Sequence, residues 1–151
     1  MYQFNNNNDD HISIKSWFQK WEMFVVDCDF KSARNLFENE VVSFGTWMNV
    51  VQGLNELETK QWKNIWPTID NFRFLTDTLF IQISPDRLFV NSVLRWESLG
   101  FDIEGTSFKR TGRATVVLKK ININDDWKGI HTHFSLNRNV TQQSFGKINK
   151  T

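Results

Sequence analysis

Two histidines separated by one residue are the strongest candidates for chemistry in this chain. His131 and His133 lie in the stretch 127–135, whose residue alternation predicts a β-strand. Residues two apart on a strand face the same side, so the pair could act together, and Trp127, Gly129 and Ser135 are expected on that side as well. One imidazole could serve as a general base near neutral pH. The alternative is a pair that only satisfies hydrogen bonds at the core edge or at a subunit interface.

A metal site is the less favoured interpretation of the same histidines. Such a site needs a third and usually a fourth protein ligand. His11 is the only other histidine, and it stands near the N-terminus, far from the pair in sequence. No carboxylate has a spacing that points to the pair. We therefore predict neither a metal nor another cofactor.

Arginines on the preceding long strands are candidates for binding an anionic group. Arg113 could lie at the mouth of a pocket and form two parallel hydrogen bonds with such a group through its guanidinium. Arg95 is the second candidate, as a polar residue buried in a largely apolar strand. A solvent or interface position for Arg95 and a surface ion pair for Arg113 are the alternatives. The full predicted ligand-binding set is Asn91, Arg95, Trp96, Arg113, Thr115, Ile130, Thr132 and Phe134.

Composition limits the classes of function. The chain has 151 residues, which fits one domain, and a net charge of +1, which gives no basic footprint for nucleic acid. Its basic runs, Lys109-Arg110 with Arg113 and Lys119-Lys120, are predicted to be solvated strand ends. With 14 Phe and 7 Trp, the chain favours a large aromatic core, and an apolar ligand cavity is the alternative.

Membrane and secretion signals are absent from the sequence pattern. The longest apolar stretches are far shorter than a membrane span. The first ten residues are rich in asparagine and lack the basic start and apolar centre of a secretion signal. We therefore expect a cytoplasmic protein that binds neither membranes nor nucleic acid.

Three helices are predicted in the first half of the chain. The first rests on an apolar stripe at helical spacing, and Asp29 is predicted to cap a second, short helix in which Phe30, Ala33 and Phe37 share a face. In the third, Asn55 and Glu58 match a capping box, and Pro67 is expected to end the helix. The residues of the first stripe are Ile14, Trp17, Phe18, Trp21, Phe24, Val25 and Cys28.

The rest of the chain is predicted to form strands. They cover residues 41–47, 72–75, 79–83, 88–97, 108–120 and 127–136. Three helices followed by a meander of strands predict an α+β domain, with the helices packed on a strongly curved antiparallel sheet that has a mixed edge. We expect this domain to cover residues 12–137, with tails over residues 1–11 and 138–151.

Four short segments resemble the nuclear transport factor 2-like superfamily, which includes ketosteroid isomerase and the SnoaL-like cyclases. The resemblance is greatest to the association (hub) domain of calcium/calmodulin-dependent kinase II. It implies a cone-shaped barrel with a pocket between helices and sheet, and a homodimer formed through the outer sheet face. The segments are 28–30 with 36–37, 51–54, 64–66, and 127–135 with its paired histidines.

The same resemblance implies which face of the last strand lines the pocket. The hub domain has an arginine directly after the second histidine, where this chain has Phe134. In that register Ile130, Thr132 and Phe134 form the pocket wall, and the two histidines face outward. The catalytic groups of ketosteroid isomerase are missing, because the only tyrosine, Tyr2, stands near the N-terminus.

Three functions remain open from the sequence. The leading hypothesis is a homodimeric SnoaL-like pocket protein that binds a small, mostly apolar molecule. The second is an isomerase, lyase or cyclase that uses His131 or His133 for acid–base catalysis, with Arg113 or Arg95 stabilising negative charge. The third is an oligomerisation module like the kinase hub domain.

Overall fold

Three helical segments cover one face of a six-stranded sheet in the computed structural model, which describes residues 8–148. The helices are α1 (Asn8–Val26), α2 (Phe30–Arg34) and a third helical segment over residues 54–68. The strands are β1 (Phe37–Phe44), β2 (Val51–Gln52), β3 (Asp70–Ile83), β4 (Phe89–Phe101), β5 (Ser107–Lys119) and β6 (Lys128–Leu136). The predicted α+β architecture is confirmed.

The sheet has the order β2-β1-β6-β5-β4-β3. Strands β1 and β6 are parallel, and every other neighbouring pair is antiparallel, so the sheet is mixed near one edge, as predicted. The curved sheet does not close on itself, because β2 and β3 are its two open edges. The three long strands β3, β4 and β5 are each 13 or 14 residues long, and strands of that length twist and curve around the helices.

Helix α1 buries the predicted apolar stripe against the sheet. Ile14, Trp17, Phe18, Trp21 and Val25 are all buried, because their spacing places them on one side of the helix. The helix begins at Asn8, within the segment expected to be a tail. Residues 1–7 and 149–151 lie outside the described part of the chain.

An ion pair joins the start of α1 to the turn between β3 and β4. The carboxylate of Asp10 is 3% exposed, and it accepts two hydrogen bonds from Arg87, at 2.6 Å from Nε and 2.9 Å from Nη2. This bidentate geometry is the strong form of the pair. It ties the first turn of α1 to the turn between β3 and β4.

We expect Asp10→Asn to lower the free energy of unfolding by about 2 kcal/mol. The value is below the range for breaking a fully buried pair, because the side chain of Arg87 is 35% exposed. Urea denaturation measures the change. Glu104→Gln removes the same charge at an exposed position and is the control, with a change within about 0.5 kcal/mol expected. Equal small effects in both variants would contradict a structural role for the pair.

Helix α2 begins as predicted but ends sooner. The Oδ1 atom of Asp29 accepts a hydrogen bond from the Ser32 N–H at 3.1 Å, which confirms the N-cap. Phe37 is not on this helix, because the chain has already entered β1, where Phe37 pairs with Gly129 of β6. A Cβ atom on Gly129 would lie 2.5 Å from the Phe37 ring. The ring therefore occupies the space that glycine leaves free.

The predicted capping box of the third helical segment is wrong. The segment starts at Leu54, directly after Gly53, whose φ of 87° suits glycine. Asn55 lies inside the helix and accepts a hydrogen bond from Arg34 at 2.7 Å, and Glu58 forms ion pairs with Arg34 and Lys63. Tertiary contacts therefore use the two side chains that a capping box would have used.

The third helical segment changes geometry along its length. It is α-helical at Leu54–Glu56, π-helical at Leu57–Trp62, α-helical again at Lys63–Ile65 and 3-10 at Trp66–Thr68. Pro67 lies in the last turn, and the helix ends there as predicted. Insertions of π geometry are rare and are often found at functional sites.

Two irregularities set the orientation of side chains on the long strands. The pairing of β3 with β4 shifts between Leu75 and Phe80, so the two short strands predicted there are one bulged strand. The pairing of β6 with β5 shifts at Ile130, between Gly129 and His131. A bulge reverses the inward and outward alternation on one side of it.

Candidate functional site

A small cavity lies between the third helical segment, α1 and the inner face of the sheet. Its volume is about 40 Å³. A single water needs about 10–15 Å³, so the cavity has room for a few water molecules. It is far below the roughly 300–1,000 Å³ that drug-sized ligands occupy. The interior is therefore largely filled.

Aromatic rings fill most of this interior. Trp62 and Trp66 stack with ring centres 4.7 Å apart, and Trp21 meets Phe134 edge-on at 5.4 Å. Trp96 completes this wall at 5.9 Å from Phe134. The high aromatic content forms the core, as the first interpretation of the composition predicted, and it also gives the remaining cavity an aromatic lining.

Arg110 lines the cavity and is the most unusual residue of the core. It is 2% exposed. Its Nη2 atom donates a hydrogen bond to Thr46 Oγ1 at 2.9 Å, and the guanidinium lies 5.3 Å from the centre of the Trp96 ring. Within residues 8–148, no Asp or Glu forms an ion pair with it. Burial lowers the pKa of Arg110 to about 10.

The prediction that Arg110 is part of a solvated strand end is wrong. Strand β5 alternates regularly, and Arg110 has the same parity as Gly112, Ala114, Val116 and Leu118, which are all buried on the inner face. This parity is a signal that the sequence contains. Charge alone suggested solvent, because arginine is rarely buried without a partner.

Several buried hydrogen-bond donors around the cavity have no acceptor among residues 8–148. They are Nε of Arg110 and the indole Nε1 atoms of Trp21 and Trp96. Arginine and tryptophan side chains can only donate, so an occupant that satisfies them must be an acceptor. Ser98 on β4 is the register partner of Arg110 on β5. Its buried side-chain hydroxyl also has no hydrogen-bond partner among the described residues. Buried donors without acceptors are rare and costly.

The π-helical turn forms one wall and holds the neighbouring loop. Gln61 lies on this turn, and its Oε1 atom accepts a hydrogen bond from the Met48 N–H at 3.0 Å. A Cβ atom on Gly45 would lie 2.2 Å from the Gln61 amide, so the glycine lets the loop approach the helix closely. The contact fixes residues 45–48 beside the cavity.

One side of the cavity wall is partly exposed. Gly45, Thr46 and Ile69 line it and are half-buried, whereas Trp21, Trp62 and Trp96 are buried. The cavity therefore reaches the surface on the side of the 45–48 loop.

The chain after β6 passes this open side. Gln142 donates a hydrogen bond to the backbone carbonyl of Thr46 at 3.0 Å. The buried hydroxyl of Ser144 donates a hydrogen bond to the backbone carbonyl of Thr68 at 2.5 Å. The Ser144 hydroxyl also accepts from the Phe101 N–H at 3.0 Å. This polar segment lies against the domain over these residues.

The structure divides the predicted ligand-binding residues between the two faces of the sheet. Trp96, Thr132 and Phe134 line the inner cavity. The hydroxyl of Thr132 donates to Ser43 Oγ on β1 at 2.7 Å, which joins β6 to the wall opposite. Ile130 was expected beside them, but it lies in the bulge of β6 and does not line the cavity.

The bulge also separates residues that were expected together. Gly129 faces inward, where a Cβ atom would meet the Phe37 ring, and Trp127 is buried in the core. Both were predicted to share the face of the histidines. His131 and His133 lie on the outer face, where Phe44 packs edge-on against both rings at 5.3 Å and 5.2 Å.

The remaining predicted residues also lie on the outer face. His131 Nδ1 donates to the Val42 carbonyl at 2.8 Å, and Asn91 donates to Gln82 Oε1 at 2.9 Å. Arg95, Arg113 and Thr115 line a separate outer cavity together with His133. The structure therefore does not bring the histidines into the inner cavity.

Residues 8–148 contain neither a candidate metal cluster nor a candidate membrane span. No group of three or more His, Cys, Asp or Glu residues in that range could hold a metal ion. Of the helices described there, none is long and apolar enough to cross a membrane.

Comparisons with known proteins rest on structure. No family model matches the sequence, and no curated protein matches it either. A nuclear transport factor 2-like superfamily protein of Salmonella enterica serovar Typhimurium superposes with a TM-score of 0.72 at 15% identity, over 95% of this chain and 98% of that one.

Two further solved structures have the same fold. A Xanthomonas campestris protein, provisionally assigned as a calcium/calmodulin-dependent protein kinase II association domain, superposes with a TM-score of 0.69 at 16% identity over 84% of this chain and 87% of that one. A Novosphingobium aromaticivorans protein, provisionally assigned as a scytalone dehydratase, superposes with a TM-score of 0.74 at 11% identity, over 96% of this chain and 97% of that one. At such identities the likeness establishes fold and not activity. The chain has the nuclear transport factor 2-like fold.

Proposed function

We propose that this protein binds a small organic acid in its inner cavity. The carboxylate, or a similar oxyanion, occupies the cavity beside Arg110, and the apolar part of the ligand contacts the aromatic wall. The observation that carries this proposal is Arg110 itself, which is buried, has one neutral hydrogen-bond partner and forms no ion pair within the described residues.

Electrostatics supports an anionic ligand. Moving a charged group out of water costs several kcal/mol unless a counter-charge or full hydrogen bonding compensates. Thr46 offers Arg110 a single hydroxyl, and the ring of Trp96 offers a weaker electrostatic contact. A bound carboxylate would supply the missing charge and could accept two hydrogen bonds from the guanidinium.

The hydrogen-bond inventory supports the same type of ligand. The unpartnered atoms of Arg110, Trp21 and Trp96 are all donors, and a carboxylate is purely an acceptor. A neutral apolar ligand would leave every one of them unsatisfied. The mostly apolar ligand predicted from the sequence is therefore proposed to carry one charged end.

The size of the cavity limits what enters without rearrangement. About 40 Å³ accommodates the carboxylate end of a ligand in place of a few waters. A larger apolar part must extend toward the half-buried side formed by Gly45, Thr46 and Ile69. Small acids are therefore the best first probes.

Acetate and acetamide make a matched test, because they have similar shapes and differ in charge. We expect acetate to raise the unfolding midpoint in a saturable way at constant ionic strength, because it binds the native state alone. Acetamide should have no such effect, since its amide cannot neutralise Arg110. Thermal unfolding followed by circular dichroism measures both.

Two substitutions locate the binding. Arg110→Met keeps the long side-chain stem and removes the charge, so it should abolish the effect of acetate. Lys109→Met removes the charge from the adjacent residue, whose side chain is 72% exposed, and should retain the effect. Equal responses to acetate and acetamide, or an undiminished response in Arg110→Met, would contradict the proposal.

A further inference from the structure

A second, larger cavity lies on the outer face of the sheet, on the opposite side from Arg110. Its volume is about 640 Å³, within the range of small-molecule sites. The bulge of β3 forms one of its walls. Thr78 of that bulge accepts a hydrogen bond from the Arg95 N–H at 2.9 Å and donates to the Leu75 carbonyl at 2.6 Å.

Strand register places polar donors in two adjacent rows across this cavity. One row is Arg95 on β4, Arg113 on β5 and Ser135 on β6. The next row is Val93, Thr115 and His133 on the same strands. All six line the cavity. The site is therefore shallow, with Val93 as its apolar floor and hydrogen-bond donors around it.

The two arginines are directly opposite each other, which is unfavourable for like charges. Within residues 8–148, neither forms an ion pair with an Asp or Glu. Glu97, the nearest acid along β4 on this face, is already engaged by Arg73 at 2.6 Å and by Lys109 at 3.9 Å. Among the described residues, the two positive charges therefore have no ion-pair partner.

We propose that the outer cavity binds a small molecule with a dianionic oxyanion group, such as a phosphate ester or a dicarboxylate. Two guanidinium groups match a charge of −2 and offer planar pairs of donors to its oxygens. Thr115, Ser135 and His133 add donors on the adjoining strands. The volume leaves space for the rest of the ligand. This site is independent of the inner cavity and of its proposed ligand.

Inorganic phosphate and succinate are the probes, because they carry the two kinds of dianion. At pH 8 and constant ionic strength, we expect one of them to raise the unfolding midpoint saturably. The Arg95→Gln/Arg113→Gln double variant should weaken that binding at least tenfold. Lys109→Gln removes a positive charge from the same face outside the cavity and should leave the affinity within twofold.

The pattern of responses decides the outcome. A response to phosphate or to succinate that the double variant loses supports the site and identifies the oxyanion. No saturable response to either probe, or the same response in the double variant, would overturn it.

Sedimentation equilibrium tests whether a second copy of the chain occupies this face instead. A dimer that dissociates in the double variant, while the wild type binds neither probe, would assign this face to a second copy of the chain and overturn the proposal.

Discussion

Replacing Arg110 by methionine is expected to stabilise the ligand-free protein by about 1–4 kcal/mol, the range seen when buried ion pairs are replaced by apolar side chains of similar volume. The guanidinium is 2% exposed and lacks a counter-ion among the described residues, so the native state carries its desolvation cost. Methionine fills a similar length with a flexible apolar chain. Equilibrium unfolding in urea measures the gain. A gain in stability together with a loss of acetate binding is the expected signature of a residue kept for ligand binding.

The direction of pH dependence follows from the same burial. Burial lowers the pKa of Arg110 in the native protein to about 10, well below the ordinary value for an arginine. The native state therefore releases this proton first as the pH rises. The destabilisation by Arg110 is fully present below about pH 10 and decreases as the pH rises above that value. Measurements at neutral pH consequently capture the whole effect.

Lys109→Met is the control for the stability measurement. Its side chain is 72% exposed, so the change should stay within about 0.5 kcal/mol. A loss of stability in Arg110→Met of 1 kcal/mol or more would contradict this account. It would mean that the contacts of Arg110 with Thr46 and Trp96 more than offset its burial.

Replacing Gly112 by alanine is expected to destabilise the protein by about 3 kcal/mol, the upper end of the usual overpacking cost. A Cβ atom there would lie 2.2 Å from the Ser135 carbonyl oxygen and 2.3 Å from the Trp96 ring. The first contact is with a backbone atom of β6, which cannot be relieved by a change of side-chain rotamer. The second would move the indole that lies beside Arg110 and the cavity.

The expected loss can be separated from a general effect on β5. Thr115→Ala changes a half-buried residue of the same strand on the outer face and should cost less than about 1 kcal/mol. Urea denaturation measures both variants. A Gly112→Ala variant as stable as Thr115→Ala would show that β5 and β6 can separate around the new methyl group, against the close approach described above.

The architecture was predictable because its main signals are local and periodic. The stripe that includes Trp17 and Trp21 predicts α1, and the alternation of β4, β5 and β6 predicts three long strands. Errors arose where a long-range contact changed the local pattern. Asn55 and Glu58 match a capping box, but Arg34 and Lys63 engage them instead. Phe37 enters a strand because Gly129 accommodates its ring.

The site was less predictable, since it depends on which way each strand faces. Alternation in β6 is broken at Ile130, and a bulge of this kind depends on the pairing with β5 rather than on the residue itself. The outward position of His131 and His133 agrees with the register that the resemblance implied. Arg110 was placed in solvent by its charge, although its parity with Ala114 and Val116 indicated the inner face.

Binding of an anionic acceptor to the unpartnered Nε–H of Arg110 can be observed directly at that atom. The measurement is a ¹H–¹⁵N NMR titration of the arginine side chains with acetate, with the Arg110 Nε–H assigned by its loss in Arg110→Met. We expect the chemical shift of this resonance to move downfield and to saturate with acetate, whereas acetamide should leave it unchanged. A resonance that stays fixed while acetate shifts other residues would contradict the proposed site.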